Sequence, residues 1–215
     1  MKIRVLLLSL LTVAVAMMSF ITKEGHEKHK TLELGADAPL TDRKMMDVSG
    51  EDFSLNDLRK ENGLCVIFSC NTCPFVVGSS SNVGWEGRYN NIAKDCEQYK
   101  VGLVMVNSNA ARRDDGDSME DMKARAKEKG FLSKYVIDNN SELADEFGAK
   151  TTPHVFLFDS DLKLVYRGAI DDNHKDPEFV DEAFLFDAID NLASGEEISP
   201  ADTKATGCSI KRVKK

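Results

Sequence analysis

Cys70 and Cys73 lie two residues apart in the stretch FSCNTCPFV, which runs from Phe68 to Val76. Strand-forming residues precede them and a proline follows. The pattern suits a dithiol–disulfide couple, a peroxide-reducing thiol with a neighbour, half of a metal site, or two buried thiols that are merely close. Pro74 narrows the choice. It disfavours the α region for Cys73 and is itself suited to the first turn of a helix, so Cys73 reads as the N-cap and Pro74 as the first helical residue. In that geometry the unpaired N–H groups of Phe75 and Val76 point back toward the sulfur, and the helix dipole favours negative charge there. Such a setting lowers a cysteine pKa from about 8.5 into a reactive range. Cys73 is therefore the expected nucleophile. Cys70 can bridge to it only if the chain turns between them, bringing the Cα atoms within roughly 4.4–6.8 Å.

The chain holds five cysteines. Cys65 sits inside an apolar run and Cys96 on an apolar helix face, so both read as small core residues. Cys208 differs, because it lies in a polar C-terminal stretch. It either resolves a disulfide or sulfenate at Cys73 or stands as an unpaired surface thiol. No second C-x-x-C and no close Cys/His pair completes a zinc site, and neither a metal nor an organic cofactor is expected. Thr151-Thr152-Pro153 precedes the run HVFLF. A proline opening a strand has no N–H to donate, and its preceding bond is cis at modest cost.

The elements that must position these residues alternate. Met45 to Val48 reads as a short strand, and Ser54 caps a helix running to Lys60. LCVIFS, Leu64 to Ser69, is apolar on both faces and belongs in the middle of a sheet covered on both sides. Trp85, Tyr89, Ile92, Cys96 and Tyr99 mark one face of a helix. Val101 to Asn109 is a second buried strand. Ser118 to Gly130 is a capped helix, Tyr135 to Asp138 a strand, and Asn140 to Phe147 a helix closed by Gly148. His154–Phe158 and Leu162–Arg167 pair as a hairpin, and Pro177 to Leu192 is a last helix. Helical crossovers followed by a hairpin give an α/β fold of three layers, with a mixed central sheet and flanking helices. In such sheets chemistry sits where a strand's C-terminal end meets the next helix, which is where Cys70 and Cys73 fall.

Composition sets limits. The 215 residues suffice for one domain, and 42% hydrophobic with 30% charged residues is ordinary for a globular chain. A net charge of −8 argues against a nucleic-acid partner, and the KRVKK ending reads as a solvated end. Lys2 and Arg4 precede an apolar segment from Val5 to Ala16, and Ala14-Val15-Ala16 offers a cleavage site before Met17. The alternative keeps that segment as an anchor, the only expected membrane contact. Either way the expected location is exported and periplasmic, where disulfides persist.

Taken in order, FSCNTCPFV, VNSN, FGAKTTPHVFLFD, YRGAIDDN and GCSIK resemble the exported thioredoxin-like proteins of the redoxin group, which includes alkyl hydroperoxide reductase and thiol-specific antioxidant proteins. The resemblance covers roughly residues 31–211. It implies a thioredoxin-like fold in which Thr152-Pro153 is a cis-proline turn facing the cysteine, with Thr152 presenting its backbone to substrate and His154 close by. It divides the chain into a signal peptide or anchor (1–22), a linker (23–30), a thioredoxin-like domain (31–195) and a tail (196–215) carrying Cys208. The departures from the family patterns are specific. Thioredoxins would place the partner cysteine at Val76, a tryptophan at Thr72 and a buried acid at Ile67. Peroxiredoxins would place threonine at Cys70 and proline at Val66, leaving Arg88 and Arg167 as the candidate peroxide-binding cations.

The resulting expectation is a thiol-disulfide oxidoreductase. Cys73 attacks a protein or small-molecule disulfide, with Pro74, Thr152 and Pro153 lining the substrate side. Cys70 or Cys208 resolves the mixed disulfide, and an external thiol donor restores the pair. A weak thiol peroxidase and a non-catalytic binding module are the alternatives.

Overall fold

The strand Gly63–Ser69 is buried at every position, so both of its faces need a covering layer. The computed structural model, which describes residues 29–214, shows how those layers are supplied. In chain order the elements are β1 (Met45–Met46), β2 (Asp52–Phe53), α1 (Leu55–Leu58), β3 (Gly63–Ser69), α2 (Pro74–Val77), α3 (Tyr89–Gln98), β4 (Val101–Asn107) and α4 (Met119–Lys129). They continue with β5 (Lys134–Ile137), α5 (Glu142–Phe147), β6 (Thr151–Thr152), β7 (His154–Phe158), β8 (Leu164–Gly168), α6 (Phe184–Ser194) and β9 (Cys208–Ser209). The central sheet has the order β5-β4-β3-β7-β8. β3 runs parallel to β4, and β4 to β5, whereas β7 is antiparallel to both β3 and β8. This is the mixed sheet with flanking helices that the sequence predicts.

Alternation along β3 feeds two cores. Cys65 and Ile67 face a cluster with Trp85, Tyr89, Ile92, Cys96, Met122, Leu185 and Ile189. Leu64, Val66 and Phe68 face the other, with Leu55, Leu143, Phe147, Phe156 and Phe158. In the second core Phe147 packs edge-on against Phe68, Phe156 and Phe158, with ring centroids 5.2–5.6 Å apart. Each fully buried side chain of this kind contributes about 1.5–3 kcal/mol, so β3, which leads directly into the cysteine turn, is anchored on both faces.

Local signals behave as the sequence suggests at the capped helices. Ser54 with Asp57 and Ser118 with Asp121 form reciprocal capping boxes, and Gly130 and Gly148 close their helices in the left-handed conformation. Several boundaries shift. The Ser54 helix ends at Leu58, and a 3-10 turn at Glu86–Arg88 precedes α3. The expected helix from Pro177 breaks after Phe179, which is 68% exposed. Asn173 Nδ2 binds the Phe179 carbonyl and Asp172 accepts from Asp181 N–H, so the preceding loop holds this stretch in place of helical bonds.

The C-terminal segment departs most from expectation. It returns along the domain: Arg167 N–H donates to Ala201 O, and Thr203 N–H donates to Arg167 O. β9 then pairs antiparallel with β6, Cys208 opposite Thr152. Ile210 is buried, Ala111 N–H donates to Lys211 O, and Arg212 Nε lies 2.6 Å from Asp145. The basic end is thus docked on the domain. Its polar composition concealed this because main-chain pairing needs no apolar side chains. The apolar segment Val5 to Ala16 and the other readings placed before residue 29 lie outside the described residues. Among the described residues, no helix is long and apolar enough to cross a membrane.

Gly207 is where this docking is most exposed to test. A Cβ there would stand 2.2 Å from Thr152 O and 2.7 Å from its carbonyl carbon, both backbone atoms that cannot yield cheaply. Gly207→Ala is expected to lift β9, at a cost of about 1–3 kcal/mol. Limited proteolysis should cut residues 200–214 faster than in the wild type while global unfolding remains cooperative; an equally protected segment would contradict this.

Candidate functional site

The chain bends at Asn71 and Thr72, so Cys70 and Cys73 are folded toward each other rather than held in extended chain. Cys73 is the N-cap of α2 and Pro74 its first residue, as the sequence predicts. The stabilising donors, however, are not those expected. Val76 and Val77 N–H both bind the Cys73 carbonyl, at 2.8 and 2.9 Å, and the Cys73 side chain makes no capping bond. Phe75 N–H serves the Cys208 sulfur instead. A helix of four residues offers few free N–H groups, and the backbone geometry at its start turns them away from the Cys73 sulfur.

The sulfur is held from across the site. Cys208 N–H donates to Cys73 Sγ at 3.3 Å, and the Cys73 thiol donates to Thr152 O at 3.2 Å. Cys70 Sγ lies 3.2 Å from Thr152 Oγ1. The Thr152–Pro153 bond is cis. Cys70 and Cys73 are each 2% exposed, whereas Cys208 is only half-buried. All five cysteines are free thiols.

This arrangement separates the three acidities. A hydrogen bond from the Cys70 thiol is the largest influence holding Cys73 down, to about 5; the thiol and N–H of Cys208 add to it, while burial opposes. Cys70 is pushed well up, by that same bond, by burial and by the charge of Asp117. Cys208 is raised to about 11, by burial and by its bond to Cys73. Ionising Cys73 forfeits its bond to Thr152 O, yet the thiolate keeps four donors, the thiols of Cys70 and Cys208, the Cys208 N–H and the Thr152 hydroxyl, which is why the net direction is downward. At neutral pH the site can therefore hold one thiolate beside two protonated thiols.

Asp117 is the residue that sequence reasoning missed. It is fully buried and accepts from Asn71 N–H (2.7 Å), Thr72 Oγ1 (2.8 Å), Asn107 Nδ2 (2.8 Å) and Asn109 Nδ2 (2.9 Å). Tyr135 OH also donates to Asn71 Oδ1 at 3.0 Å. Within RRDDGDS nothing distinguishes Asp117 from the exposed Asp114 and Asp115 except its place before the Ser118 cap.

The remaining candidates are engaged elsewhere. Arg88 pairs with Asp171 at 2.6 Å and bonds the Gly84 and Asn173 carbonyls. Arg167 binds Asp202 and the carbonyls of Thr31 and Leu32. Neither guanidinium is left free as a peroxide-binding cation. His154 is buried, 6% exposed; its Nδ1 accepts from Lys150 N–H, and burial lowers its pKa to about 4. Cys65 and Cys96 are buried core residues, as expected.

The acidity of Cys73 is directly measurable. Its alkylation rate should already be near its plateau by about pH 7, because the thiolate fraction governs the rate. Cys70→Ala removes the largest stabilising bond and should move the midpoint upward; an unchanged midpoint would contradict the assignment.

In sequence, residues 33–183 match the Redoxin family model. Among solved structures, a conserved protein from Geobacillus kaustophilus is 31% identical with a TM-score of 0.77, covering 86% of this chain and 95% of its own. A hypothetical protein from Sinorhizobium meliloti is 28% identical with a TM-score of 0.76, covering 86% of this chain and 98% of its own. A candidate protein disulfide isomerase from Bacteroides thetaiotaomicron shares the fold at 16% identity and a TM-score of 0.54, over 76% of this chain and 91% of its own. No curated protein matches the chain. With most of its described length matched by that family model and its cysteine turn set against a cis-proline edge, the chain belongs to the Redoxin family.

Proposed function

We propose that this protein is a thiol-disulfide oxidoreductase whose nucleophile is Cys73. The observation that carries this reading is the convergence of Cys70 and Cys208 on one sulfur whose thiolate is favoured. The Cys73 thiolate attacks one sulfur of a substrate disulfide, forming a mixed disulfide and releasing the other half as a thiolate. Cys70 or Cys208, on losing its proton, then attacks Cys73 Sγ and releases the second half of the substrate. Two electrons pass to the substrate, and an intramolecular disulfide remains for an external thiol donor to reduce.

Thr152 supports the same reading from the substrate side. Its carbonyl and hydroxyl lie against Cys73 and Cys70, with Pro153 following and Pro74 opening α2. Because Cys73 is almost fully covered, a substrate sulfur needs a covering group to yield. The two-residue β9, paired with the two-residue β6, is the covering group that has to shift to bare the sulfur on this reading. The substrate class is a protein or small-molecule disulfide. An exported, periplasmic location, which the apolar segment after Lys2 and Arg4 suggests, would keep such disulfides available. A peroxidase reading gains nothing from the engagement of Arg88 and Arg167 with other partners.

Intact-mass analysis with peptide mapping, before and after reduction, tests the cycle. Oxidised protein should be two hydrogens lighter and carry a 70–73 or 73–208 bridge. Cys73→Ser should lose turnover of a disulfide substrate by about 10³-fold or more, as expected for a removed nucleophile. Protein that never forms a Cys73 disulfide, or a Cys73→Ser variant of full activity, would refute the proposal.

A further inference from the structure

The two thiols that compete for Cys73 come from segments far apart in the chain, yet one buried line of hydrogen bonds reaches both. At one end, Asp117 takes the Asn71 N–H and the Thr72 hydroxyl, the two residues between Cys70 and Cys73. It also takes Asn109 Nδ2, and Asn109 Oδ1 accepts from Lys211 N–H at 2.9 Å, three residues beyond Cys208. Ala111 N–H donates to Lys211 O and completes the attachment. Asp117 and Asn109 are both buried, so neither bond is exchanged freely for water.

We propose that Asp117 is the positioning residue of this three-thiol site, tying the cysteine turn through Asn109 to the strand that carries Cys208, so that one group sets how Cys73 divides between its two partners. This deepens the oxidoreductase reading and rests on Cys73 being the nucleophile. Asp117 does not touch the reacting sulfurs. It acts by holding the turn, so that the Cys70 thiol stays within reach of Cys73 as a donor. The other polar groups around it are Asn107, whose Nδ2 donates to the carboxylate at 2.8 Å, Arg113, whose Nη1 binds Asp117 O at 2.8 Å, and Tyr135, which reaches Asn107 and Asn71. The carboxylate is the only member of the line that accepts from both the turn and Asn109.

Two variants test it in the full chain, equilibrated in a glutathione thiol–disulfide buffer. Asn109→Ala keeps the carboxylate and cuts the link to Lys211. It should lower the ratio of 73–208 to 70–73 disulfide by about fivefold, the equilibrium effect of losing one buried hydrogen bond. Asp117→Asn mismatches the donors of the turn, which frees the Cys70 thiol from Cys73; the lost bond outweighs the removed charge. It should raise the pH midpoint of Cys73 alkylation, so that the rate near pH 6 falls at least about fivefold. A folded Asn109→Ala protein with the wild-type disulfide ratio overturns the proposal, even if Asp117→Asn proves too unstable to purify. So does a folded Asp117→Asn protein with the wild-type pH profile. Both readouts use only the protein's own cysteines, so a wild type that turns over no external disulfide would sink the enzymatic reading while leaving this test decided.

Discussion

The bond from the backbone N–H of Cys208 to Cys73 Sγ joins the C-terminal strand to the cysteine turn, and bringing all three thiols together depends on that junction. It exists only because β9 pairs with β6, placing Cys208 opposite Thr152 and in front of the cysteine turn. β6 in turn leads through Pro153 into β7, which lies beside β3 in the sheet. The Cys73 sulfur is thus fixed by four segments that meet only when the whole domain has folded: the end of β3, the Thr152 edge, the C-terminal strand and the Asp117 loop. A thiolate stabilised this way needs no long helix behind it and no neighbouring metal or lysine.

The same arrangement limits access. Covering the sulfur strengthens its hydrogen bonds by excluding water, but it also blocks approach. Cys208 lies at the outer side of the cluster, half-buried, while Cys70 is sealed behind Thr152. One partner is therefore tied to the core and the other to a short strand. On the proposed function, that asymmetry would give Cys73 two different disulfide partners.

Much of this was legible in the sequence, and the reason is local. The doubly apolar β3, the capping boxes at Ser54 and Ser118, and Pro74 after Cys73 are signals written within a few residues, and the structure follows them. The convergence of Cys70, Cys73 and Thr152 followed from strand order together with the family resemblance. What was not legible depends on distant pairing. Nothing in GCSIK shows that its main chain will complete a strand at Thr152, and nothing in DDGDS shows which carboxylate will be buried. The expected helix-terminus donors at Cys73 failed for a related reason: with α2 only four residues long, Phe75 N–H turned to Cys208 and Val76 N–H to the Cys73 carbonyl.

The most direct measurement is to trap the first chemical step. A Cys70→Ser/Cys208→Ser protein, treated with one equivalent of an aromatic disulfide and mapped by mass spectrometry, has a nucleophile at Cys73 but no thiol in the site to resolve it. The account predicts a single stable mixed disulfide on Cys73, with Cys65 and Cys96 unlabelled. A protein that stays unmodified at Cys73, or carries the label on another cysteine, would contradict it.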